Sequence, residues 1–228
     1  MRYLLTIIIS IGFLFSICLA EEKVELKDQK DKESYSLGYQ FGQNLKIRGV
    51  DLDLEVYTSG IRDALGGKEP LVSREEIRAT ISELQKRTAA ARQKELKEMA
   101  AKNLEESKKF LAENQKKEGV KTLPSGLQYK IMTEGSGKTP KATDDVTVNY
   151  TGTFIDGTEF DSSYKRGEPA IFKVNGIIKG WAEALQLMKE GAKWQLFVPP
   201  ELGYGERGMG RIPPNSTLVF EVELISVK

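Results

Sequence analysis

The chain is 228 residues long, 39% hydrophobic and 29% charged, and its 34 Lys+Arg against 33 Asp+Glu leave a formal net charge of +1. That length supports one good core with an appendage, or two small domains, and the even charge balance gives no general reason to expect nucleic-acid binding. With no histidine and a single cysteine, Ser-His and Cys-His catalysis and His-ligated metals are excluded, so an enzyme built on this chain works mainly through shape, desolvation and hydrogen bonds.

Met1 to Ala20 has the anatomy of a secretory signal. Arg2 supplies the positive start, Leu4 to Phe15 is an apolar run, and Cys18-Leu19-Ala20 places small residues where signal peptidase reads them. Cleavage is expected before Glu21. It removes the only cysteine, leaving a mature chain suited to an oxidising compartment.

Glu21 to Lys32 is charged and reads as disordered. Glu33 to Lys46 carries Tyr35, Leu37, Tyr39, Phe41 and Leu45 on a helix-compatible pattern. Asp53 is placed to cap a second helix running to about Leu65, which Gly66-Gly67 ends. Two short amphipathic helices cannot bury both of their faces alone, and a second copy of the same pair is the simplest partner.

Ser73-Arg74-Glu75-Glu76 is a capping box opening a long helix, with no Pro or Gly until Gly119. From Arg74 to Lys117 it would span roughly 66 Å at about 1.5 Å per residue. Its apolar residues are irregularly spaced for a sustained coiled coil. Most of it reads as a solvated rod held by i,i+4 charge pairs, with a longer coiled-coil dimer as the alternative.

From Leu123 the pattern changes to strands. Ser125 to Met132 alternates, Val146 to Phe154 follows with Asp156-Gly157 as a hairpin turn, and Trp194 to Val198 and Leu218 to Leu224 are further strands. Trp181 to Met188 reads as one short helix. The expected result is an antiparallel sheet with a helix packed on it. Gly203-Tyr204-Gly205-Glu206-Arg207-Gly208 formally matches a dinucleotide fingerprint, but a loop containing Pro213-Pro214 follows it rather than a helix, so dinucleotide binding is rejected.

Phe160-Asp161-Ser162-Ser163, Gly180-Trp181, Ala184-Leu185, Gly203-Tyr204-Gly205, Ile212-Pro213-Pro214-Asn215 and Leu218-Val219-Phe220 occur in the order found in FKBP-type peptidyl-prolyl isomerases. The C-terminal half resembles that family from about Leu123 to Lys228. The whole arrangement resembles its macrophage-infectivity-potentiator and FkpA-like branch, with Leu37-Gly38-Tyr39 and Gly60 to Leu65 as the N-terminal match.

The resemblance implies an α+β protein with a signal peptide (1–20), an N-terminal helical dimerisation domain (21–72), a long connecting helix (73–118) and an isomerase domain (119–228). In the last, an antiparallel sheet wraps on a short helix. It implies a periplasmic prolyl cis–trans isomerase with chaperone activity, acting as a V-shaped homodimer joined through the N-terminal helices and requiring no cofactor or metal. Outer-membrane or surface association is left open. Proline-containing or unfolded polypeptides would be the substrates, and macrolide immunosuppressants the inhibitors.

By the same resemblance, Asp161, Tyr204, Trp181, Tyr150 and Phe160 would be catalytic. Arg166, Phe172, Ile177, Ile178, Ile212 and Phe220 would complete the substrate site. Trp181 would be the floor under the proline ring, Tyr204 a donor to a substrate carbonyl, and Asp161 an orienting charge rather than a general base. Ala170 stands where some members carry a pocket aromatic, so that wall is expected to be more open. The Gly-rich loop with Arg207, Met209 and Arg211 leaves substrate preference undefined.

Overall fold

A computed structural model describes residues 24–228. The signal-sequence reading therefore lies outside the described residues. The chain divides into two compact units, with the boundary between Glu69 and Pro70. Among the described residues no helix is long and apolar enough to cross a membrane.

The first unit holds α1 (Gln29–Ile47) and α2 (Leu54–Leu65). Helix α1 begins four residues before the predicted Glu33, taking in part of the segment read as disordered. The reason is Asp28, whose side chain accepts from the Asp31 N–H at 2.8 Å and caps the helix. Helix α2 keeps its predicted limits, with Asp53 accepting from the Val56 N–H at 3.0 Å and Gly66 at the C-cap. Phe41 of α1 stacks on Tyr57 of α2 with ring centroids 5.8 Å apart. Neither helix buries a residue fully: Leu37, Tyr39, Phe41, Val56 and Leu65 all remain exposed.

The second unit opens with α3 (Arg74–Asn114), where Ser73 accepts from the Glu76 N–H at 3.1 Å. The sheet follows: β1 (Val120–Thr122), β2 (Gln128–Thr133), β3 (Asp145–Phe154), β4 (Glu159–Ser162), β5 (Ala170–Lys173), β6 (Lys193–Val198) and β7 (Leu218–Val227). Every pairing is antiparallel, in the order β1-β2-β6-β7-β3-β4, and β5 pairs with β3. Strand β3 thus serves two short strands along one edge: Asp145 to Val148 pairs with β5, and Thr151 to Thr153 with β4. The one-turn helix α4 (Ser163–Arg166) lies between those strands in the chain. Strands β1, β4 and β5, at three or four residues each, are too short for an alternation pattern to announce them.

Alternation on the long strands builds the core. Val146, Val148 and Tyr150 of β3, Trp194 and Leu196 of β6, and Leu218, Phe220, Val222 and Leu224 of β7 face inward. Helix α5 (Lys179–Leu185) covers that face with Trp181, Ala184 and Leu185. It starts two residues before the expected Trp181 and ends before Met188. Its end is a tightened turn in which Leu187 and Met188 donate three residues back, to Ala184 and Leu185. Gly180 lets it sit close, since a Cβ there would lie 2.7 Å from Val198 Cγ1.

The expectation that most of α3 is a solvated rod is corrected over its C-terminal half. Ser107 and Asn114 are buried there, and Phe110 packs on Phe197 with centroids 6.0 Å apart. This explains why β6 breaks its alternation: Phe197 points away from the α5 side, yet is only 6% exposed because the helix covers it. The contact is as much polar as apolar. Asn103 donates to the Pro214 carbonyl (2.7 Å), Asn215 to the Ala100 carbonyl (3.1 Å), Asn114 to Gln128 Oε1 (2.9 Å) and Gln128 to the Leu111 carbonyl (2.9 Å).

Candidate functional site

The inner face of the sheet does not close completely over α5. A cavity of about 450 Å³ remains, and Trp181 on the first turn of α5 is part of its wall. Trp181 is 4% exposed and is met edge-on by three rings. Its centroid lies 5.1 Å from Tyr150, 5.9 Å from Phe172 and 5.2 Å from Phe220, at interplanar angles of 90°, 88° and 84°. Phe160 meets Phe220 in the same way at 5.6 Å. Edge-to-face pairs of this kind each add about 0.5–1.5 kcal/mol beyond area burial, so the rings are held in fixed orientations.

Each element delivers its ring by strand or helix periodicity. Tyr150 and Phe220 are inward positions of β3 and β7 and Phe160 comes from β4. Phe172 comes from β5, and Ile177 and Ile178 from the turn into α5. Gly152, two residues after Tyr150, makes room for these rings. A Cβ there would lie 2.7 Å from Phe160 Cζ and 2.8 Å from Phe220 Cε1.

At the polar wall, Asp161 accepts from the Tyr150 hydroxyl, from the Arg166 guanidinium and, at 2.9 Å, from the Ser162 N–H. Arg166 also donates to the Tyr150 hydroxyl at 2.9 Å and lies 5.3 Å from the centre of its ring. Burial by itself would raise the Asp161 pKa, but the bonds from Tyr150 and Arg166 outweigh it and hold the carboxyl below its ordinary value. Burial pushes the Tyr150 and Tyr204 hydroxyls up, and the Asp161 carboxylate pushes both further. At neutral pH the wall therefore carries one fixed carboxylate and two neutral phenols.

Of the residues singled out in the sequence, Tyr150, Phe160, Asp161, Phe172, Ile177, Ile178, Trp181, Tyr204 and Phe220 line this one cavity. Arg166 does not line it but bonds two residues that do. Ile212 packs against the core and pairs with Met209, which itself reaches the cavity. Gly176 and Met209 were not assigned to the site from sequence. Met209 sits in a Gly-rich loop whose course periodicity cannot predict. Ala170 pairs with Val148 and packs against the core rather than lining the cavity. The Gly203 to Gly208 segment forms a short 3₁₀ turn (Gly205–Arg207) with no following helix, as expected of a loop.

Comparison with known proteins gives a consistent result. A family model described as FKBP-type peptidyl-prolyl cis-trans isomerase matches residues 136–225. Another, described as the domain amino terminal to FKBP-type peptidyl-prolyl isomerase, matches residues 30–131. The chain is 44% identical over 229 residues to peptidyl-prolyl cis-trans isomerase Mip of Coxiella burnetii, covering 100% of this chain and 99% of that protein. It is 45% identical over 210 residues to the outer membrane protein MIP of Legionella longbeachae, covering 92% of this chain and 90% of that one. The crystal structure of FkpA from Escherichia coli superposes with a TM-score of 0.68 at 41% identity, covering 90% of this chain and 99% of that one.

The glycine requirement is open to test. Gly152→Ala is expected to overpack the rings and destabilise the fold by about 1–3 kcal/mol, read as a lowered urea midpoint at unchanged m-value. A wild-type midpoint would mean that Phe160 and Phe220 are not held as described.

Proposed function

The chain belongs to the FKBP-type peptidyl-prolyl cis-trans isomerases and is an enzyme of that family; on this premise we propose that the aromatic cavity around Trp181 is its catalytic site. The observation that carries the reading is the convergence of nine sequence-selected residues on one cavity with a single fixed carboxylate.

Rotation about an Xaa-Pro bond needs no nucleophile and no net proton transfer. The barrier of about 18–20 kcal/mol comes from amide resonance. The planar amide places more negative charge on its carbonyl oxygen than the twisted one, and water stabilises that charge. Moving the bond among Trp181, Tyr150, Phe172 and Phe220 removes the water and favours the twisted state. In this scheme Trp181 is the floor for the proline ring and Tyr204 donates to a substrate carbonyl. Asp161, held by Tyr150, Arg166 and the Ser162 N–H, orients the substrate electrostatically. Phe160, Ile177 and Ile178 shape the walls, and Ile212 backs Met209. Macrolide immunosuppressants would compete for the same cavity.

The proposal extends to a homodimer joined through α1 and α2 that works on unfolded envelope proteins as a chaperone. Support comes from the apolar residues those helices leave exposed, Leu37 at 68% and Leu65 at 86% among them. Two catalytic domains on one assembly let a single client engage both, raising effective concentration without strengthening either contact. Export to the periplasm, with outer-membrane or surface association open, is supported by the apolar start of the sequence and by the outer-membrane name of the Legionella longbeachae relative.

The first test is isomerisation of a short Xaa-Pro peptide by the full mature chain and by an Asp161→Ala, Trp181→Ala double variant. The expected result is a loss of about tenfold or more in kcat/KM; unchanged turnover in a folded double variant would remove the catalytic site from this cavity.

The pH profile is a separate check. The Asp161 carboxyl lies below its ordinary 3.8 and the two tyrosines above 10.0. Lowering the pH thus protonates Asp161 later than a free carboxyl, and raising it ionises the phenols later than free ones. The kcat/KM profile is expected to be flat between about pH 5 and 9. A bell centred near neutrality would point instead to proton transfer in the rate-limiting step.

For assembly, sedimentation of the mature chain at micromolar concentration should give the mass of a dimer, and Leu37→Asp with Leu65→Asp should give a monomer. A monomeric wild type would end the dimer proposal.

A further inference from the structure

Helix α3 is read in the sequence as a connector, yet it touches the segment that forms one border of the cavity. Between Tyr204 and β7 the chain makes a loop from Gly205 to Asn215. Gly205, Gly208 and Gly210 adopt positive φ angles of 60°, 64° and 57°, and a Cβ at Gly208 would lie 2.2 Å from the Ile212 carbonyl oxygen. A loop with so many glycines has little stiffness of its own. Two devices close it. At the tip, Met209 and Ile212 exchange backbone hydrogen bonds of 2.9 and 2.8 Å. At the neck, the Asn215 N–H donates to the Gly205 carbonyl at 2.9 Å, one residue after Tyr204.

The neck is where α3 holds on. Asn215 is the one non-glycine residue with positive φ, 53°, among the described residues. Asn tolerates that region better than most side chains, and such a conformation persists where the surroundings over-determine it. Here its amide donates to the Ala100 carbonyl of α3 at 3.1 Å. Asn103 donates to the Pro214 carbonyl at 2.7 Å, and the Ser107 hydroxyl pairs with that of Thr217. Ala100, Asn103 and Ser107 lie three and four residues apart, on one face of the helix. Ser107, Asn215 and Thr217 are 2%, 7% and 3% exposed. The Ser107–Thr217 pair is buried, so a bond lost there leaves a polar atom without its partner, whereas Asn103 is half-buried at an open cleft and acts by fixing the Pro214 carbonyl.

We propose that Asn103 and Ser107 are positioning residues for isomerisation: through Pro214, Asn215 and Thr217 they set the neck of the loop that presents Tyr204 and Met209 to the substrate. The connecting helix is then part of the apparatus that shapes the cavity. This rests on the catalytic reading of the cavity given above. The chain contains its own control. Further along α3, Asn114 and the Leu111 carbonyl hold Gln128 of β2 by the same chemistry, and neither Gln128 nor Asn114 lines the catalytic cavity.

The test compares full-length mature chains carrying Asn103→Ala, Ser107→Ala, Ser107→Thr or Asn114→Ala. For each, kcat and KM on a short Xaa-Pro peptide are measured beside the urea midpoint. Asn103→Ala and Ser107→Ala are expected to raise KM about three- to tenfold, with kcat within about twofold. Ser107→Thr, which keeps the hydroxyl, should restore KM. Asn114→Ala should lower the urea midpoint at least as far as Asn103→Ala while leaving KM unchanged.

Wild-type KM in folded Asn103→Ala and Ser107→Ala chains would overturn the proposal. So would an equal rise in KM for Asn114→Ala, because helix docking would then act only through stability. If Asn103→Ala does not fold, the Ser107 pair decides. An inactive wild-type chain would overturn the catalytic reading itself, whereas an active wild type with unmoved KM in the α3 variants overturns only the positioning role.

Discussion

The edge-on enclosure of Trp181 by Tyr150, Phe172 and Phe220 is the constraint on which the rest of the catalytic domain depends. The same rings that finish the core line the cavity, so the cavity is continuous with the core rather than an addition to a finished fold. This has a direct consequence for packing. Trp181 can meet β3 and β7 only if α5 lies close to the sheet and those strands carry room for large rings. Gly180 satisfies the first condition against Val198, and Gly152 the second against Phe160 and Phe220. Both glycines are there because of distance rather than backbone freedom.

The polar wall follows the opposite logic. An apolar cavity would tend to neutralise a carboxyl group, yet Asp161 receives three donors and stays ionised. Two of those donors, Tyr150 and Arg166, also bond each other. The charge is therefore held in one place without becoming basic. That suits a reaction whose difficulty is bond rotation rather than proton transfer. The aromatic floor and the fixed carboxylate share Tyr150, which gives its ring to one and its hydroxyl to the other.

Helix α3 adds a third layer. It covers Phe197 on the outer face of the sheet and grips the loop neck and β2 through buried amides and hydroxyls. The polar stripe runs through Ala100, Asn103, Ser107, Leu111 and Asn114 at helical spacing. A search for apolar periodicity passes over it, since only Leu111 and Ala100 are apolar and Ala100 acts through its carbonyl. An amphipathic face can be built from short polar side chains that find partners, because a satisfied buried amide costs little; Asn114 is satisfied only through its Nδ2, its buried Oδ1 having no partner.

The long elements, their caps and most of the residues that line the cavity were legible in the sequence. Asp53, Ser73 and Gly66 announce helix ends because capping is local, and Tyr150, Phe220 and Trp194 fall inward because strand alternation is local. Phe160-Asp161, Gly180-Trp181 and Gly203-Tyr204 carried the family resemblance, and that resemblance selected residues that meet at one cavity. Tertiary structure alone decided the three- and four-residue strands β1, β4 and β5, which owe their existence to the longer strands they pair with. It alone brought Met209 to the cavity, since a glycine-rich loop has no period from which to read its course. It also turned half of a charged helix into a buried partner of the sheet. Whether Asn103 meets water or a carbonyl, and Ser107 water or a hydroxyl, depends on a chain segment more than a hundred residues away, and no local pattern contains that information.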